Sequence, residues 1–337
     1  MGLLEEIFVK NIIASCCKNG GMKEMIEIMV GGGVLALASI TELTIAKLLF
    51  NKTILRNGVN VEKTMKMAGT NWSKYMLGIK KKKAWLLKQE NEVVSIKSND
   101  GLKLVGRLFP RKNSKKVVIC FHGYTSRGMS DYGSLATYYL NKDFNMLIID
   151  ERAHGDSEGK YIGFGCLDRY DALEWIKFAV DKFGNDCEIL LHGISMGGAT
   201  VLMTSGLDLP ANVKAIFSDC GFTSAWEVFS NVIKDVYHIP PYPTINIASK
   251  MAKKYAGYEF DQCNSAEEVQ KAKVPILLIH GDADTFEPCY MCNNIYDKCA
   301  SEKDLLIVKG AGHAEAYYAE QEAYEDKMNK FIDKYFS

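Results

Sequence analysis

An apolar run at residues 187–191 leads straight into Gly193-Ile194-Ser195-Met196-Gly197, and Gly198-Ala199 follows. This is a G-x-S-x-G pattern between a short β-type run and a small-residue helix start. The order requires a strand to end in a tight turn and reverse into a helix, with a serine at the apex. Glycines two before and two after the serine permit that turn without steric clash and leave the hydroxyl in the open at a strand end. A solvent-facing serine on a Gly-rich turn is the plainer alternative.

From about residue 92 the pattern is regular. Glu92–Lys97 and residues 102–109 flank Asn99-Asp100-Gly101, a hairpin signal. Short Val/Ile/Leu-rich runs then recur at 117–121, 146–149, 189–191, 215–217, 276–279 and 305–308, separated by helix-like stretches such as 167–183 and 314–336. Apolar strands alternating with helices imply an α/β architecture, a mostly parallel sheet covered on both faces. The interval 221–273 is too long for a single crossover and reads as a small cap inserted above the sheet, or as two surface helices joined by a proline-rich loop. Its aromatics Trp226, Phe229, Tyr237 and Tyr242 are candidates for a substrate-pocket wall, or pack the cap on the sheet.

Residues 1–85 differ from the rest and read as an N-terminal helical extension, with the main domain over 86–337. Residues 28–41 are uncharged, but fourteen residues are short for a bilayer span, and extending the run to Phe50 carries Glu42 and Lys47 into the apolar slab. Residues 22–50 are read as a helix on a membrane surface; a helix packed on the protein and a cleaved signal segment stay open, the last disfavoured by acidic flanks. The basic run Lys80-Lys81-Lys82-Lys83 is a solvated helix face or a contact for an anionic membrane. A cytoplasmic location, membrane-associated through this segment, fits better than secretion.

Lys+Arg and Asp+Glu balance at 41 each, which removes any electrostatic case for a nucleic-acid partner. The 10 cysteines form no small disulfide framework and point to a reducing compartment. Cys289 and Cys292 form a C-x-x-C without a second pair at zinc spacing, so no metal and no organic cofactor is expected. Oligomeric state is not legible.

A serine hydroxyl needs a general base, and the base an orienting acid. Of six histidines, only His313, in a loop between the final strand and final helix, is late enough and free enough to swing over Ser195. The acid is expected at a strand end between the two. Asp284 clears the strand where Asp282 more readily caps the turn. Oxyanion donors are expected from the backbone N–H of Met196 and of Tyr124, whose ring is also a candidate pocket wall.

The order Ser195, Asp284, His313, together with His122-Gly123, the loop 152–157 and Gly281-Asp282-Ala283-Asp284, resembles the α/β-hydrolase fold superfamily over about residues 85–337. The chain looks most like bacterial serine hydrolases of the esterase or prolyl-oligopeptidase-like type. The resemblance implies an eight-stranded sheet flanked by helices and the same triad. Ala153 stands where relatives carry glycine, and Glu287-Pro288 where many carry Val-Pro. The expectation is hydrolysis of a small acyl ester through an acyl-enzyme. A peptidase, amidase or acyltransferase on the same triad is the alternative, and a non-catalytic membrane-associated binding protein is a different class.

Overall fold

The computed structural model describes residues 40–56, 70 and 72–337. The chain divides between Leu48 and Leu49 into two units. The described residues of the second, 49–337, hold eight strands: β1 (Glu92–Lys97), β2 (Lys103–Phe109), β3 (Lys116–Phe121), β4 (Asn145–Ile149), β5 (Glu188–Ile194), β6 (Val213–Asp219), β7 (Ile276–Gly281) and β8 (Lys303–Val308). They form one sheet in the order β1-β2-β4-β3-β5-β6-β7-β8. The β1/β2 and β2/β4 pairs are antiparallel and the remaining pairs parallel. The expected eight-stranded, mostly parallel sheet is therefore what the chain builds.

Alternation along each strand divides the core. Val118 and Cys120 of β3, Leu190 of β5 and Leu277 and Ile279 of β7 pack on one face with Tyr139, Tyr324 and Phe331. Val117, Ile119 and Phe121, with Ile189, Leu191, Ile276 and Leu278, pack on the other with Trp175, Ile176 and Ile295. Successive side chains of a strand point to opposite faces, so runs apolar at every position need helices on both sides. The helices Ala136–Asn141 and Gln321–Tyr335 supply one layer, Asp168–Phe183 and Tyr290–Lys298 the other.

Between β1 and β2, the N–H of Ser98 donates to Leu102 O at 2.9 Å and Gly101 takes φ 93°, the turn that Asn99-Asp100-Gly101 signalled. Arg152 locks it in place: its Nε and Nη2 meet both oxygens of Asp171 at 2.6 and 2.7 Å, and Nη1 reaches Asp100 at 3.0 Å. The last helical stretch, expected to be continuous, is two helices, Ala316–Ala319 and Gln321–Tyr335. The backbone of Glu320 leaves the helical region at φ −139°, ψ 63°, and Tyr324, Met328, Phe331 and Ile332 of the second helix are buried.

Residues 221–273 hold the helices Ala225–Asn231, Thr244–Ala256 and Ser265–Glu268, with a π-helical turn at Val232–Val236. Among the described residues no helix is long and apolar enough to cross a membrane. The segment read as membrane-associated, 22–50, lies outside the described residues as far as residue 39. Its end joins the second unit. Phe50 packs on Tyr161 and Tyr255. Arg56 donates to the carbonyls of Gly155 and Ser157, tying this stretch to the 152–157 loop.

Candidate active site

The strands β3, β5, β6, β7 and β8 run parallel, so their C-terminal ends share one edge of the sheet, where ligands of open α/β sheets bind. Ser195 stands directly after β5 with φ 54° and ψ −116°, a conformation rare for a residue with a Cβ. Its neighbours allow it. A Cβ on Gly193 would lie 2.0 Å from Gly197 O, and one on Gly197 would lie 2.1 Å from Phe121 O. Both glycines are demanded by close backbone approach. The Ser195 N–H donates to Asp219 O at the end of β6, at 2.8 Å, which anchors the turn from beneath.

His313 lies in the loop after β8. Its Nε2 is 3.0 Å from Ser195 Oγ, and its Nδ1 donates to Asp284 Oδ2 at 2.8 Å. The structure thus brings together the three residues expected from their order along the chain. Asp284 Oδ1 accepts the N–H groups of Phe286 and Glu287, each at 2.9 Å, so both its oxygens are engaged. Burial opposes its charge, but the neighbouring His313 and His280 hold its pKa well below the usual carboxylate range. Asp282 accepts the Gly310 N–H at 2.6 Å and so fastens the turn that carries His313, a bond to a separate loop where a cap on its own local turn was the expectation. A Cβ on Gly281 would lie 2.2 Å from Ala311 O, a close approach between the loops that carry Asp284 and His313.

Four of the other five histidines are occupied elsewhere. His122 Nε2 accepts the Glu151 N–H at 3.0 Å, so Nδ1 carries the proton and donates to Gly123 O at 2.8 Å. Burial pushes His154 and His192 down to about 3. His192 sits between the hydroxyls of Tyr139 and Tyr324. His280 donates from Nε2 to Glu287 O at 2.6 Å.

A cavity of about 360 Å³ opens over Ser195 and His313. Met196, the first residue of the helix Met196–Thr204, presents one of the first-turn N–H groups that have no acceptor within the helix. Tyr124 lines the same cavity, in the loop held by Asp131, which accepts the Gly123 N–H at 2.8 Å. The Tyr124 phenol donates to Thr53 O at 3.0 Å.

The cap aromatics are placed differently. Trp226, Phe229, Tyr237 and Tyr242 are not among the residues lining this cavity. Phe229 is buried against Phe164 and Phe260, Trp226 pairs with Tyr242, and Tyr237 and Tyr242 are exposed. The wall comes instead from residues 72–83: Trp72, Met76, Ile79, Lys80 and Lys83, facing Phe286 and Tyr318. Part of the basic run thus forms the edge of the cleft. The helix Met76–Leu86 has no strong amphipathic pattern to announce this, since four consecutive lysines occupy every direction around its axis.

Glu287, which in sequence only departs from a family pattern, lies beside the serine. Its Oε1 lies 3.1 Å from Ser195 Oγ, and the residue is 2% exposed. Burial, with Asp284 adding repulsion, raises its carboxyl to about 7. Burial disfavours a charged His313 as well, but Asp284 and Glu287 outweigh it and raise the imidazole to about 9. Cys220 Sγ, Asp284 and His313 place ligand-type atoms within 4.8 Å of one another. Both Asp284 oxygens and His313 Nδ1 are already committed among themselves and to backbone N–H groups.

Residues 112–255 match a family model described as serine aminopeptidase, S33. The uncharacterized protein YqkD of Bacillus subtilis is 28% identical over 226 residues, 66% of this chain and 73% of its own length. The Pyrococcus furiosus esterase Pf2001 is similar in fold, with a TM-score of 0.61 at 22% identity, covering 75% of this chain and 94% of the esterase. Est1E from Butyrivibrio proteoclasticus, solved with ferulic acid bound, gives a TM-score of 0.56 at 19% identity, over 71% of this chain and 99% of that one.

Proposed function

We propose that this chain, which belongs to the α/β-hydrolase fold superfamily, is a serine hydrolase that cleaves carboxylic esters of small, largely apolar acids. The observation that carries the reading is the hydrogen-bonded line Ser195 Oγ, His313 Nε2, His313 Nδ1, Asp284 Oδ2, with spacings of 3.0 and 2.8 Å. An alcohol, a base in reach of its proton and a carboxylate holding the base's far nitrogen are the parts needed for nucleophilic acyl transfer.

In this reaction Ser195 Oγ attacks the ester carbonyl and its proton passes to His313 Nε2. Asp284 keeps the proton on Nδ1 and stabilises the imidazolium. The Met196 and Tyr124 N–H groups receive the oxyanion. His313 then protonates the leaving alcohol, and water, deprotonated by His313, releases the acid from Ser195.

The walls of the cleft argue for the acyl class. Trp72, Met76, Ile79, Phe286 and Tyr318 offer an apolar slot, which suits a hydrocarbon or aromatic acid. Esterases are among the proteins similar in fold, and one of them was solved with the aromatic ferulic acid. The matching family model favours a second reading, an aminopeptidase. Such an enzyme must hold a substrate ammonium. The carboxylate lining this cleft, Asp131, is engaged by Gly123 and Ser126, while Lys80 and Lys83 would repel a cation.

The test is hydrolysis of p-nitrophenyl esters from acetate to palmitate and of aminoacyl p-nitroanilides, by wild type and Ser195→Ala. Ester turnover that vanishes in Ser195→Ala is expected, and Ile79→Trp should shift the preferred chain toward shorter acids. Ser195-dependent turnover of the anilides alone would replace this reading with the peptidase.

A further inference from the structure

The Ser195 hydroxyl has one proton and two acceptors. His313 Nε2 is 3.0 Å away on one side and Glu287 Oε1 3.1 Å away on the other. The second acceptor has no part in the reaction described above, which uses Asp284 as its only carboxylate. Glu287 is 2% exposed, does not line the cleft, and its Oε2 has no hydrogen-bond partner among the described residues. A carboxyl so placed costs stability unless a neighbouring charge compensates.

Its position is held from several sides. The Glu287 N–H donates to Asp284 Oδ1 at 2.9 Å, and the Glu287 carbonyl accepts His280 Nε2–H at 2.6 Å. The turn that presents the triad acid to His313 therefore also presents Glu287 to Ser195.

We propose that Glu287 is a second carboxylate of the reaction centre. With Asp284 it holds His313 as an imidazolium in the resting site, in the chain His313 Nε2–H···Oγ–H···Oε1 of Glu287, and so sets an alkaline threshold at which Ser195 becomes a nucleophile. The inference rests on the serine-hydrolase reading of Ser195 and His313. In this chain every donor has an acceptor: Nε2–H gives to Oγ, and Oγ–H gives to the carboxylate. An imidazolium cannot take the serine proton, so the site is closed. As pH rises the Nε2 proton leaves to solvent. The bare Nε2 becomes an acceptor, the hydroxyl proton turns from Glu287 to His313, and attack on a carbonyl is possible.

The groups facing this pair come from every neighbouring strand end. Asp219 ends β6 and Cys220 follows it, His280 belongs to β7, Asp284 follows that strand, and Asp131 lies beyond β3. Burial raises the carboxyls of Asp131 and Asp219 and the thiol of Cys220. Asp284 and Glu287 are the leading causes of the raised basicity of His313. An opposite charge a few ångströms away shifts a pKa by about 1–3 units, so removing one of the two carboxylates leaves a measurable displacement.

The experiment is the pH profile of kcat/KM on a p-nitrophenyl ester, for wild type, Glu287→Gln, Glu287→Asp and Glu287→Val, with Tm recorded for each. In wild type the acidic limb should have its midpoint well above 6.5. In Glu287→Gln and Glu287→Val it should fall by about one pH unit or more. At about pH 6 these variants would then be roughly tenfold faster than wild type. Glu287→Asp should restore part of the alkaline midpoint. A residue that merely packed would change rate by the same factor at every pH. Profiles of unchanged midpoint therefore overturn the proposal, as does a wild-type midpoint at or below 6.5, which needs no variant to fold. The same profile is read from the rate of fluorophosphonate labelling of Ser195, which needs only the nucleophile and its base. If no ester is turned over but labelling shifts with Glu287, the substrate reading has failed and this inference stands.

Discussion

The Tyr75 hydroxyl donates to Glu315 Oε1 at 2.6 Å, and the other oxygen of Glu315 accepts the Gly312 N–H at 3.0 Å, one residue before His313. Thr70 Oγ1 adds a bond to His313 O at 3.2 Å. The stretch that walls the cleft thus also braces the loop carrying the proposed base. Tyr75→Phe removes one hydrogen bond, worth about 1 kcal/mol, and loosens that loop. The expected result is a kcat lowered a few-fold with a smaller change in KM, because imidazole placement matters most in the transition state. Steady-state kinetics checks this; a change in KM alone would assign Tyr75 to substrate binding instead.

Ser195 and His313 should act as one unit. Each alanine substitution is expected to lower kcat by on the order of 10⁴–10⁶, and the double variant to be no worse than either single one. Additive losses in the double variant would mean that the two residues do not share a step.

Stability carries the signature of His313. Its folded value is about 9 against the ordinary 6.5, so the folded chain holds the proton more tightly than the unfolded chain does. The resulting stabilisation is complete below about pH 6.5 and is lost as pH rises through about 9. The stability difference between wild type and His313→Gln should therefore shrink by up to about 3 kcal/mol across that window. Urea unfolding at both ends of it measures the change, and a constant difference would refute the assignment.

Ala153 sits at φ 59°, where an L-residue is strained and glycine is not. Its N–H donates to Glu158 O at 2.9 Å, which fixes the loop in this conformation. Ala153→Gly should stabilise the chain by about 0.5–1 kcal/mol, the relief of strain being partly offset by the entropy of glycine. Thermal unfolding should show a Tm higher by about 1–3 °C. A drop in Tm would show that the Ala153 methyl, which is buried, packs for more than the strain costs.

Much of the site was legible because its logic is local or ordered along the chain. The glycines around Ser195 declare a tight turn, and in the structure their missing Cβ atoms are filled by backbone oxygens. Asp284 and His313 follow strand ends in sequence, and a parallel sheet brings such ends to one edge. The aromatics of residues 221–273 suggest either a pocket wall or packing of the cap on the sheet, and composition does not separate the two. Phe229 spends its ring on Phe164 and Phe260 within the core.

By itself, then, the sequence determined the strand pattern, the turn at Ser195 and the order of the proposed nucleophile, acid and base, since hydrophobic periodicity and glycine placement act over a few residues. The tertiary structure alone decided that residues 72–83 form the cleft wall and that Glu287 meets Ser195 across 92 positions of chain. Neither contact has a period or a motif. The first depends on where a helix with no distinct apolar face docks. The second depends on a turn folded back on Asp284 Oδ1, which aims a carboxylate at a hydroxyl delivered by a different strand.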